Sequence, residues 1–348
     1  MTLQLLQGEK PVEMARRLAT VLREKNAIVV RHEIFGSNAA HKETMQILQR
    51  EIPDFDWPVM WIGSGENAGG DISGMHVFAV AGVRVDTIYQ EVEPVGRVFG
   101  DGQTRHCLLS DLKPVNLSAS KSAQCQEVFR NLERTLREVD MNMADVARTW
   151  FFLDDIHSWY GEFNDARIEF FREKKLLNGL LPASTGIGGQ NPFGAALVAG
   201  AWAVQAAKGS VSITDVPSPL QCSSMEYGSA FSRAVLMDTL PCRRLLISGT
   251  ASIGPDGRSA HVGDLHGQIG LSMEVVQEIL ASRRFDFPDV SRATAYFKNI
   301  QDAPAFDEWR RERNLEFLPL VIAQSDLCRP ELLFEIELDA IALCVPQQ

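Results

Sequence analysis

The chain is expected to be an α/β protein of the α+β kind, built by internal duplication. Three observations predict this: a helix pattern that recurs 144 positions later, a strand that recurs at the same offset, and a 45% hydrophobic content in 348 residues. A chain of that length and composition can bury more than one core. In the stretch 118–140, Cys125, Phe129, Leu132, Leu136 and Val139 fall at three- and four-residue spacing behind serines suited to N-capping, so an amphipathic helix is predicted. Ile269, Met273, Val276 and Leu280 occupy the same positions of a second helix: 125 to 269, 129 to 273, 132 to 276 and 136 to 280.

The register holds beyond the helix. Asp145-Val146-Ala147-Arg148 matches Asp289-Val290-Ser291-Arg292, and each run opens an apolar strand, TWFFL or ATAYF. A charged amphipathic helix follows in each copy (WYGEFNDARIEFFRE; DAPAFDEWRRERN), then an LP-initiated strand and a last apolar strand (ALVAGAWAV; LLFEIELDAIAL). By that last strand the offset is about 137, because surface loops vary in length. The first hundred residues alternate helix and strand less regularly and suggest a truncated third unit. The resulting division is 1–100 as a degenerate α/β unit, 101–210 as the first full unit, 211–242 as a linker contributing to the site, and 243–348 as the second full unit. The linker's PSPLQCSSMEYGSAFSRA is too specific in composition for a flexible spacer.

Composition excludes several functions. With 34 basic against 45 acidic residues the net charge is −11, and no basic run or aromatic-basic stripe is present, so nucleic acid and anionic membranes are not expected as partners. No apolar run approaches the roughly 18 residues of a membrane span, and charged residues stand where a signal peptide needs its apolar core. A cytoplasmic protein is expected. The six cysteines form no CxxC pair and no histidine lies at metal-ligand spacing from another ligand, so neither a disulfide framework nor a zinc site is implied.

Gly63-Ser64-Gly65-Glu66-Asn67-Ala68 nearly spells a dinucleotide fingerprint, but the following GGDISGMHVF predicts loop and strand instead of the helix that would hold a pyrophosphate. A glycine-rich turn is the better reading. The strand Leu332–Asp339 is more informative. Alternation puts Glu335, Glu337 and Asp339 on one face and Phe334, Ile336 and Leu338 on the other. A solvated strand face would account for the acids, and so would a desolvated carboxyl at a cleft. The first copy carries Val198 and Gly200 at the positions of Glu335 and Glu337, and that asymmetry favours chemistry at one site. Arg148, Arg167 and Arg233, with Tyr160 nearby, are candidate partners for a dianionic substrate, although each taken singly fits a structural ion pair. Arg148, recurring as Arg292, fits architecture best.

The run SGTAS, GPDG, HVGDLHGQIGLSMEVVQEIL, DVSRATAYF and EIELDAIA resembles the Rid (YjgF) family, over about two thirds of the chain. The resemblance implies tandem Rid/YjgF-like (chorismate-mutase-like) units, with helices packed on one face of mixed sheets and a pseudo-trimeric arrangement left open. Deaminases of that family carry an arginine after the second helix. Here that stretch is Leu181-Pro182-Ala183-Ser184 and Leu318-Pro319-Leu320-Val321, without it, which argues against deamination. RTWFFLDDIHSWYGEFNDAR, the SPLQ linker and CRPELLFEIELDA resemble the chorismatase family more closely, from about Arg148 to Asp339. Those enzymes cleave the enolpyruvyl ether of chorismate to pyruvate and a dihydroxycyclohexadiene carboxylate or a hydroxybenzoate.

By that resemblance Arg148, Tyr160, Arg167, Gln221, Tyr227 and Arg233 bind substrate. Ala251 and Cys328 line the ring pocket, where product choice is made. Protonating an enol-ether carbon needs a positioned acid kept protonated near neutral pH, and the resemblance puts it in FEIEL. Glu335 is favoured over Glu337, with a two-residue slip left open. No cofactor or metal is called for, and a monomer or a homo-oligomer is expected. A Rid-type imine deaminase and a non-catalytic ligand-binding protein are the alternatives.

Overall fold

The computed structural model describes residues 1–6, 8–64, 72–206, 212–239 and 242–343. Its elements fall into three successive groups. The first comprises β1 (Thr2–Leu3), α1 (Pro11–Glu24), β2 (Ala27–Gly36), α2 (His41–Glu51), β3 (Val59–Gly63) and β4 (Ile72–Ala81). The second comprises β5 (Val85–Gln90), β6 (Glu93–Gly100), β7 (Thr104–Leu112), α3 (Lys121–Glu138), β8 (Val146–Leu153), α4 (Tyr160–Glu173), β9 (Ala183–Gly188) and β10 (Leu197–Ala206). The third comprises β11 (Ser212–Val216), β12 (Ala234–Asp238), β13 (Cys242–Ala251), α5 (Leu265–Ser282), β14 (Val290–Phe297), α6 (Ala303–Glu312), β15 (Leu320–Gln324) and β16 (Phe334–Leu343).

Each group makes one mixed sheet, in the orders β1-β4-β2-β3, β5-β6-β7-β10-β8-β9 and β11-β12-β13-β16-β14-β15. The parallel pairs β2/β3, β8/β9 and β14/β15 are each bridged by a helix, as parallel neighbours require. The N-terminal sheet therefore repeats the last four strands of the other two and lacks only their leading hairpin. Residues 85–100 supply that hairpin to the middle sheet, and the segment 211–242 supplies β11 and β12 to the third. Of the near-fingerprint at Gly63, the glycine ends β3, and residues 65–68 lie outside the described residues, as does Cys344.

Local chemistry repeats with the topology. Ser120 caps α3 by accepting from Ala123 N at 3.2 Å, and Asp264 caps α5 by accepting from Gly267 N at 3.0 Å. Asp140 and Arg284, 144 positions apart, close those helices with φ of 56° and 60°. Cys125, Phe129, Leu132 and Leu136 pack beneath α3, while Ile269, Met273, Val276 and Leu280 pack beneath α5. A further core joins the helix-free faces of all three sheets, with Phe35 and Ile62, Phe152 and Ile187, and Tyr296 and Val321 among its members.

The three units meet head to tail. β3 lies against β7, β9 against β13, and β15 against β1 and β4, which closes a ring with pseudo-threefold symmetry. Strand register makes the symmetry explicit. Arg31, Arg148 and Arg292 each follow a one-residue bulge and pair with Phe78, Trp202 and Asp339 respectively. Two residues on, Glu33, Trp150 and Thr294 pair with His76, Gly200 and Glu337. At the next inward position Phe35, Phe152 and Tyr296 pair with Gly74, Val198 and Glu335. One fold position thus carries glycine, valine and glutamate in the three units.

Candidate active site

A cavity of about 380 Å³ opens between the second and third units. The second unit contributes Tyr160, Asn164 and Arg167 from α4 and Ser184 and Gly186 from β9. The third contributes Gly249 and Ala251 from β13 and Glu335 from β16, with Tyr227, Phe231 and Arg233 before β12 and Cys328 and Arg329 before β16. Hydrogen bonds lock the seam. Ser248 Oγ accepts from Ser184 N at 2.8 Å, and Thr185 Oγ1 accepts from Gly249 N at 3.1 Å.

Two carboxyls two residues apart meet opposite environments. Glu337 accepts from Arg148 Nη2 at 2.5 Å, Trp150 Nε1 at 3.1 Å and Tyr296 Oη at 3.3 Å, and also from Thr185 Oγ1 and Arg292 Nη2. Burial alone would raise its pKa, but Arg292, Arg148 and the Thr185 hydrogen bond hold it down to about 2. Glu335, facing the cavity, has no hydrogen-bond partner among the described residues. Burial first, then the charge of Glu337, pushes its pKa up to about 8. At neutral pH one is therefore a carboxylate and the other a carboxylic acid. Gly249 makes this possible, because a Cβ there would overlap Glu335 Oε1.

The cationic side of the cavity is Arg167, Arg233 and Arg329, none of which is in a salt bridge among the described residues. Arg167 donates to Asn164 Oδ1 at 2.6 Å. Arg233 donates to Cys222 O at 2.9 and 3.0 Å. Arg329 donates to Gly257 O at 2.9 Å and Ser259 Oγ at 3.2 Å. Arg233 and Arg329 both lie over the Tyr227 ring, at 5.3 and 5.2 Å. Burial raises the pKa of Tyr160, and takes the Cys328 thiol and the Tyr227 hydroxyl to about 12. All three enter the site protonated. The result is three guanidinium groups facing the neutral acid of Glu335, with the Asp165 carboxyl also on the wall, in a chain whose net charge is −11.

Of the residues singled out from the sequence, Tyr160, Arg167, Tyr227, Arg233, Ala251, Cys328 and Glu335 line this cavity. Arg148, expected to bind substrate, does not: its guanidinium is wholly buried on Glu337 and Thr185 at the ring's centre. The physical reason is the repeat itself, since Arg31 and Arg292 stand at the same fold position. Gln221 also lies off the cavity wall, donating to Ala251 O and Ile253 O at 3.0 Å and so holding the end of β13. Glu337 sits behind the wall, not on it. Arg329, Asn164 and Phe231 escaped sequence reasoning. Each stood in a stretch that the sequence did single out: Arg329 in CRPELLFEIELDA, Asn164 in WYGEFNDAR and Phe231 in the linker's GSAFSRA.

The sequence profile of the Endoribonuclease L-PSP family matches residues 102–190. A curated 3-hydroxybenzoate synthase of Streptomyces hygroscopicus is 27% identical over 225 residues, which is 57% of this chain and 64% of that protein. The match thus spans less than two thirds of that relative's length. Among solved structures, a chorismatase superimposes with a TM-score of 0.66 at 19% identity, covering 90% of this chain and 92% of the other. That likeness establishes the fold. A putative endoribonuclease L-PSP from Entamoeba histolytica, at 19% identity and a TM-score of 0.32, covers 38% of this chain and 100% of its own.

Proposed function

We propose that this chain, which belongs to the chorismatase/3-hydroxybenzoate synthase family within the Rid/YjgF superfamily, cleaves the enolpyruvyl ether of chorismate with Glu335 as general acid. The observation that carries the reading is a buried carboxyl with a pKa near 8, lying without a hydrogen-bond partner on the wall of a cavity that holds three arginines free of salt bridges. Two carboxylates on the substrate answer that surplus of guanidinium groups. Arg167, Arg233 and Arg329 hold them, and Tyr160 and Tyr227 supply protonated hydroxyls.

Glu335 delivers its proton to the terminal methylene carbon, forming a methyl group and an oxocarbenium ion at the ether carbon. An oxygen nucleophile captures that cation, the ether bond breaks, and the ring oxygen leaves with its electron pair. Of the two protons that a captured water carries, one returns to Glu335, now a carboxylate, and the other goes to the leaving ring oxygen. Glu337 stays ionised throughout and keeps its neighbour's proton in place. Hydrolysis consumes one water; a hydroxybenzoate forms when the ring then loses a hydroxyl and the hydrogen on the adjoining carbon as water, so that route consumes none net. The ring product we assign is 3-hydroxybenzoate, the product named for the Streptomyces hygroscopicus relative. The test is incubation with chorismate in D2O. Pyruvate carrying one deuterium in its methyl group, beside 3-hydroxybenzoate, is expected. Unchanged chorismate would refute the reading, and a dihydroxycyclohexadiene carboxylate would refute the product assignment.

A further inference from the structure

A second cavity, of about 170 Å³, lies on the pseudo-threefold axis, away from the cleft. Its floor is formed by one fold position taken from each unit: Phe78, Trp202 and Asp339. Ser291, exposed at its rim, opens it to solvent. Its ionic lining consists of three guanidinium groups, Arg31, Arg244 and Arg292, the amino terminus of Met1, which donates to Val77 O at 2.9 Å, and two carboxylates, Glu33 and Asp339. The neighbouring His76 adds no charge, because burial first and then Arg292 hold its pKa well below the ordinary value. Arg292 bridges Glu33 at 3.0 Å and Asp339 at 3.5 Å, and Arg31 pairs with Glu33. Arg244 is left over. It has no salt bridge among the described residues and lies over the rings of Phe78 and Trp202, at 5.5 and 5.7 Å.

Two buried atoms of the lining, Arg31 Nε and Asp339 Oδ1, have no hydrogen-bond partner, one a donor and the other an acceptor. Unpaired buried groups of this kind cost stability unless a ligand or water answers them. The volume is close to that of an apolar cavity known to accept a benzene ring.

We propose that this axial cavity binds a small hydroxylated aromatic monocarboxylate. Its carboxylate answers the surplus charge of Arg244, its ring packs between Phe78 and Trp202, and its hydroxyl donates to Asp339 Oδ1. Apart from Arg292, which also holds Glu337 ionised, the site is built from residues outside the cleft. Ring products of the reaction proposed above belong to this ligand class, so the cavity would report product concentration, but binding itself does not depend on that reading.

The experiment is calorimetric titration of the full chain with 3-hydroxybenzoate, benzoate and acetate. 3-Hydroxybenzoate should bind most tightly. Arg244→Gln, at a half-buried position on the rim, should weaken it at least tenfold, and so should Phe78→Leu. Arg233→Gln, in the cleft, should leave this binding unchanged. Three results would overturn the proposal: no binding at millimolar ligand, equal affinity for acetate, or loss of binding in Arg233→Gln with both axial variants unaffected. Chorismate turnover measured on the same preparations bears on the cleft alone, so failure of either reading is distinguishable from failure of the other.

Discussion

Glu335 and Glu337 share a strand face, yet their surroundings separate their protonation by several units, and that separation is what the proposed chemistry requires. Because the acid works only while protonated, turnover should hold below about pH 8 and fall above it, as a pH profile of kcat would show. Stability carries the same sign. A carboxyl whose folded pKa is raised favours folding fully below its ordinary value of about 4.5, and that contribution is lost as pH rises through about 8. Glu335→Gln should therefore gain on the parent in urea unfolding midpoint between pH 6 and pH 9, and equal midpoints throughout would contradict the raised pKa. The sequence showed the acid row and its asymmetry between copies. It could not separate the two glutamates, because the five donors around Glu337 come from β8, β9 and β14, far from it in the chain.

The seam between β9 and β13 shapes the cleft, and Gly249 on β13 leaves the room that the Glu335 carboxyl occupies. Gly249→Ala would push the Glu335 carboxyl aside, and a misplacement of that size should lower kcat on the order of a hundredfold while circular dichroism stays native. Most elements were legible in the sequence, because helix period and the 144-residue offset agreed in both full copies. The hairpin β5–β6 and the strands β11 and β12 were not assigned to their sheets. Among their described residues, 85–100 and 211–242 have no α-helix to mark a unit, and only pairing with β7 and β13 places them. Arg148 stands off the cavity wall for a related reason: its partner Glu337 comes from the last strand of the third unit, and no local pattern in the sequence joins the two.

Three units close a ring, and the fold position of Glu335 is held by Gly74 and Val198 in the other two, so one unit of the three carries the acid there. The axial network joins all three units: Glu33 from the first, Arg148 from the second, Arg292 and Glu337 from the third. Removing one member of a buried ion pair strands its partner, so Arg148→Ala should lose about 3–5 kcal/mol in chemical unfolding. A loss confined to substrate affinity, with stability intact, would return Arg148 to the cleft. The central claim, that Glu335 supplies the proton, is met most directly by measuring kcat and chorismate affinity for Glu335→Gln beside the parent. Glutamine keeps the size and hydrogen-bonding reach of the side chain and removes the acid. The account predicts a fall in kcat of about a hundredfold or more with affinity within a few-fold of the parent, and turnover at the parent rate would contradict it.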